Sequence, residues 1–231
     1  MYRFLVLVFF IFLTACADET VYAPVTELST IEPLPRNGIY HVKPDDTLYS
    51  IAWRYGMDYR SLAKINNISR PYHIETGQAI RLREKNAKPS EKISQPAPKI
   101  HPVVTEKEPV APVSYWRWPA QGKVTEVFNG RNKGINIAGQ LGDPIYAAAP
   151  GKVVYSGNGL RAYGNLIIIK HNSSFLSAYA YNKEVLVHEG EWVKAGQKIA
   201  TMGRTNTNRV MLHFEIRQNG KPVNPIQYLG K

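Results

Sequence analysis

The chain has 231 residues, with 29 Lys plus Arg against 18 Asp plus Glu, a formal net charge of +11, and a single cysteine. That length suits one medium domain or two small ones, and one cysteine excludes an intramolecular disulfide. The basic balance points to anionic partners, yet no basic helix or aromatic-basic repeat marks a nucleic-acid binder, so nucleic acid is set aside.

Residues 1–15 read as a removable leader. Arg3 supplies a positive start, and Phe4 to Leu13 form an apolar run too short to remain in a bilayer as a helix. Leu13-Thr14-Ala15 leads into Cys16. A small residue before cysteine resembles bacterial lipoprotein precursors, which implies Cys16 as the lipidated first residue of the mature chain. Each buried methylene of such an anchor contributes about 0.8 kcal/mol. Ala17 follows, not the Asp that resembles an inner-membrane retention signal, so the expected place is the periplasmic face of a Gram-negative outer membrane. Residues 16–37 are polar and Pro-containing without periodicity, the composition of a flexible tether.

Residues 38–84 predict strand, helix, helix, strand. Ile39 to Val42 alternate as a half-buried strand does. Thr47 caps a helix that lines up Leu48, Ile51, Ala52 and Tyr55, and Gly56 stops it. A second helix from Tyr59 carries Leu62, Ala63 and Asn66 on one side, and residues 78–82 return as a strand after Gly77. The runs YHVKPDDTLYSIAWRYG, LAKINNI, PYHI and TGQAIRL resemble LysM, a small βααβ module that binds N-acetylglucosamine-containing glycans. The resemblance implies a shallow glycan groove along Asp46, Thr47, Leu48, Asn67 and Ile68. Read for structure alone, Thr47 is an N-cap, Leu48 is core and Asn67 is a helix C-cap. Asp45 stands where that family usually has Gly, and Asp tolerates a positive φ better than most residues.

Residues 85–115 hold Pro89, Pro96, Pro98, Pro102, Pro109 and Pro112 among Lys and Glu, with few large apolar side chains. Such a stretch buries too little surface to offset its ordering entropy and reads as a disordered linker.

Residues 116–231 predict a mostly antiparallel β-domain. Strand patterns cover 123–128, 134–138, 152–156, 165–171, 176–181, 198–202 and 211–217, punctuated by Gly and Pro turns. Alternation in MLHFEIR puts Leu212, Phe214 and Ile216 in the core, with Met211, His213, Glu215 and Arg217 opposite. Asn132 and Asn136 share a side, as do Tyr179 and Tyr181, and these polar sides are expected to form a groove. His171 and His188 read as solvated surface.

The runs RNKGINIAG, GDPIYAAAPGKVVYSG, YGNLIIIKH, AYAY, VKAGQKIATMG and MLHFEIRQNGKPVNP resemble LytM-type (lysostaphin-like) zinc endopeptidases of peptidoglycan. That family carries His-x-x-x-Asp, a mid-domain His and a His-x-His, but the matching positions here are Asn132, Asn136, Tyr181, Met211 and His213. A catalytic zinc needs three good ligands and an open position. Neutral amides are weak donors for Zn²⁺, and one His does not hold it, so the resemblance implies a degenerate site with no metal, no other cofactor and no catalysis. A lipoyl or biotinyl carrier, suggested by VKAGQKIATMG, lacks its Lys between apolar strands.

Taken in order, the lipoprotein leader, LysM, Pro-rich linker and degenerate LytM domain resemble the outer-membrane murein hydrolase activators. This implies binding to peptidoglycan glycan strands and to a periplasmic N-acetylmuramoyl-L-alanine amidase, promoting daughter-cell separation. The amidase contacts would be the five degenerate positions, with Lys133 and Arg209 at the rim. Two readings compete: a passive peptidoglycan-binding lipoprotein, and a zinc endopeptidase with unconventional ligands.

Overall fold

A computed structural model describes residues 32–83, 113, 115–205 and 208–230. The expected leader, Cys16, the start of the tether and nearly all of the Pro-rich segment lie outside the described residues.

The first module is βααβ. Strand β1 (Ile39–His41) pairs antiparallel with β2 (Ala79–Arg81), and helices α1 (Leu48–Arg54) and α2 (Tyr59–Ile65) lie between them in sequence. Local chemistry sets the helix ends. Thr47 and Ser50 form a reciprocal capping box at α1, and Asp58 accepts from the first amides of α2. Asp45 has φ 63 and Asn67 has φ 55, the left-handed conformation that Asp and Asn tolerate. Leu48, Ile51, Leu62 and Ile80 are fully buried in this module.

The second module is antiparallel β. Its strands are β3 (Val124–Glu126), β4 (Ile135–Ala138), β5 (Pro144–Tyr146), β6 (Gly151–Gly157), β7 (Asn165–Lys170), β8 (Phe175–Val185), β9 (Trp192–Val193), β10 (Lys198–Met202), β11 (Met211–Gln218) and β12 (Lys221–Val223). Their order is β3-β4-β11-β8-β7-β6-β9, with β10 bridging β8 to β5 and β12 on β11. Each expected strand forms; β5, β9 and β12 are additions too short to leave a period in the sequence.

Alternation assigns the two faces. Ile137, Tyr179, Ile167, Leu212, Phe214 and their neighbours make one apolar cluster with Ala147, Val187 and Met202. The opposite face carries Val154, Leu166, Ile168, Leu176, Ala178 and Ala180, and it shares a second cluster with the core of the βααβ module. The two modules are therefore packed together, a contact that the sequence reading did not contain.

Candidate functional site

Strand pairing brings Asn136 beside His213, with Met211 two residues earlier on the same strand. On β11, His213 lies opposite Asn136 of β4 on one side and Ala180 of β8 on the other. Asn136 sits on the face away from Ile135 and Ile137, as alternation requires. Gly134 precedes it with no room for a side chain, since a Cβ there would lie 2.1 Å from the Phe214 carbonyl oxygen. Tyr181 departs from the expectation that it shares a side with Tyr179. Tyr179 points into the core, where its hydroxyl accepts from the Ala148 amide at 2.8 Å. Tyr181 has φ 65, and this left-handed residue inside β8 breaks the period, placing its ring 6.4 Å from the His213 ring.

The site is a closed hydrogen-bonded chain. Asn136 Nδ2 donates to Glu126 Oε2 at 2.7 Å, which orients its Oδ1 toward His213 Nδ1, also at 2.7 Å. His213 Nε2 lies 3.2 Å from Glu215 Oε1, and the Tyr163 hydroxyl donates to that same oxygen at 2.9 Å. Arg217 Nε donates to Glu215 Oε2 at 3.0 Å. Burial pushes the Glu215 carboxyl up, but the Arg217 charge and the hydrogen bonds from His213 and Tyr163 outweigh it and hold the group below the usual range. Burial, and then the Glu215 charge, push the Tyr163 hydroxyl well up, so it stays a donor. Tyr181 is pushed up to about 12, chiefly by burial.

His213 and Glu215 have 0 % side-chain exposure, and Asn132, Asn136, Tyr181 and Met211 are buried too. The expected groove positions thus form a floor. Above it stand Glu126 and Arg209, both exposed, Val127, and Lys133, whose Nζ donates to the Gly130 carbonyl. Asn132 is tied locally: its Nδ2 donates to the Val127 carbonyl and its Oδ1 accepts from the Gly134 amide.

These residues do not fit a zinc ion. Both ring nitrogens of His213 face oxygen acceptors, and both amides are spent on neighbours. Among the described residues, no group of three or more His, Cys, Asp or Glu side chains could hold a metal. His171 does not supply one. It was expected at the surface but is buried, with Nδ1 2.8 Å from the Pro150 carbonyl and Nε2 2.7 Å from Ser177 Oγ. Desolvation lowers its pKa to about 4. His188 is exposed, beside Glu191.

In the βααβ module, three of the five expected glycan residues are internally engaged. The Asp46 side chain is buried and accepts from the Tyr40 hydroxyl, the Lys43 amide at 2.9 Å and Arg54 at 3.4 Å. Leu48 is core, and the Thr47 hydroxyl donates to the Val154 carbonyl of the β-domain at 3.1 Å. Asn67 is exposed and Ile68 half-buried, so this lip remains open.

Arg217 and Trp53 are the residues that sequence reasoning missed. Arg217 Nη1 donates to the Trp53 carbonyl at 2.8 Å, and its guanidinium sits 3.5 Å from the centre of the Trp53 ring. The alternation of FEIR put Arg217 on the right face, but nothing local announces a partner 164 positions away.

The LysM domain model matches residues 40–83 and the peptidase family M23 model matches residues 130–225. The chain is 45 % identical to a Pseudomonas aeruginosa lipoprotein described as an NlpD/LppB homolog, covering 84 % of this chain and 78 % of the relative. It is 42 % identical to the Escherichia coli murein hydrolase activator NlpD, covering 82 % and 67 %. It is also 45 % identical to the uncharacterized E. coli lipoprotein YgeR, covering 83 % and 80 %.

Proposed function

The chain belongs to the NlpD/LppB lipoprotein family, and from that premise we propose that it is a non-catalytic activator of a periplasmic N-acetylmuramoyl-L-alanine amidase. Anchored through Cys16 to the periplasmic face of the outer membrane, it binds peptidoglycan glycan through the LysM module and promotes cell separation. One observation carries the non-catalytic part: the only imidazole at the former ligand positions has both nitrogens engaged, by Asn136 and Glu215. Such a site has no open coordination position and no activated water to offer.

What remains is a shaped surface. The floor is rigid because its polar groups are mutually satisfied, and the exposed Glu126, Val127 and Arg209 stand around it. A partner that binds only the open state of an amidase shifts that enzyme's population by its differential affinity, about 2.7 kcal/mol for a hundredfold change. Holding the chain at the wall by lipid and glycan raises the local concentration for a weak contact.

The test adds purified mature protein to a full-length amidase on dye-labelled peptidoglycan. Dye release should rise with added protein, while the protein alone releases none. No increase at saturating protein would leave a passive wall-binding lipoprotein as the better reading.

A further inference from the structure

The part of the sheet face formed by β6, β7 and β8, with Arg217 at its edge, is covered by the chain's own βααβ module. Val154, Leu166, Ile168 and Leu176 lie in one apolar cluster with Leu48, Ile51 and Trp53. Polar links ring this contact. Thr47 Oγ1 donates to the Val154 carbonyl, Arg54 reaches the Gly159 carbonyl at 3.3 Å, and Arg60 donates to Asn219 Oδ1 at 2.8 Å. At its centre Arg217 joins Glu215 to the Trp53 carbonyl. The β11–β12 turn fits so closely that a Cβ on Gly220 would lie 2.5 Å from the Asp58 amide nitrogen. Separately, the turn into α1 presents Thr47 to the β-domain and withdraws Asp46 and Leu48, leaving Asn67 and Ile68 as the open lip.

We propose that this contact is an autoinhibitory seat: the docked LysM module is a closed, glycan-latent state in which the Thr47 lip and the apolar sheet face of β6, β7 and β8 cover each other. Opening frees both together. Glycan binding and exposure of the apolar sheet face are then linked, because a strand that needs the Thr47 lip binds only the open form. The closed form lowers the apparent glycan affinity by the fraction of chains that are open, and by reciprocity glycan raises that fraction. The inference rests on the glycan-binding part of the proposed function.

The test uses the full mature chain and two substitutions outside the LysM module. Gly220→Asn wedges the joint, and Asn tolerates the positive φ of that turn. Leu160→Asp puts a charge into the buried loop beside Gly159. Binding of a chitooligosaccharide is measured by calorimetry, and hydrogen exchange of residues 151–157 and 165–170 is followed with and without the sugar. Both variants should bind the sugar at least about tenfold more tightly than the native chain, and sugar should speed exchange on these strands in the native chain. Equal affinities in native and variant chains that retain their circular dichroism, or slower exchange on adding sugar, overturn the seat. No binding by any of the three overturns the glycan reading and the seat with it.

Discussion

Arg217 shows how one side chain carries more than its local sequence suggests. Its guanidinium neutralises the buried Glu215 and also reaches the Trp53 carbonyl. Breaking a buried pair from one side leaves an uncompensated charge, so Arg217→Ala should cost about 3–5 kcal/mol in urea denaturation, and the double change Glu215→Leu with Arg217→Met should cost less. A loss below about 1 kcal/mol for Arg217→Ala would contradict the buried pair. His171 gives a second expectation. Its folded pKa of about 4 lies below the ordinary 6.5, so the unfolded chain takes up the proton first as pH falls. Stability is therefore full above pH 6.5 and declines toward pH 4, by up to about 3 kcal/mol. Urea midpoints at pH 7 and pH 4.5 should differ more for the native chain than for His171→Phe. The expectation that His171 lies at the surface fails for a tertiary reason: the Pro150 carbonyl and the Ser177 hydroxyl, both brought by other parts of the sheet, pair its two nitrogens.

Strands and helices were largely legible because period and caps are local properties. Thr47 and Asp58 mark their helices, and Leu212, Phe214 and Ile216 mark the core side of β11. The period fails at Tyr181, where a left-handed residue turns the chain within β8, and no alternation rule anticipates that. Alternation also tells which face a residue occupies but not what covers that face, so the burial of the expected groove positions was not legible in the sequence. The close approach of β4 and β11 is testable on its own. Gly134→Ala would drive a methyl into the Phe214 carbonyl, and backbone on both sides limits relaxation. The loss should be about 3 kcal/mol, seen as a melting temperature lower by several degrees. An unchanged melting temperature would mean that the two strands part more easily than their register implies.

At the scale of the molecule, composition separated the two modules but not their joint, which depends on complementary surfaces far apart in sequence. The shared apolar cluster predicts that the modules unfold together. Calorimetry of the protein should show a single transition, and two resolved transitions would contradict a common core. The reach from Arg217 back to Trp53, 164 positions apart, also sets an order of assembly. The βααβ module can close its own short-range contacts early, whereas Arg217 reaches Trp53 only once β11 has threaded in beside β8. Loop-closure entropy makes such long-range pairing late. Until then a newly made chain carries two matching oily surfaces that have not yet met, and at high local density each can find the other on a neighbouring molecule. The same contact that gives the finished protein its unity is therefore the place where an unfinished one would exchange modules with its neighbours.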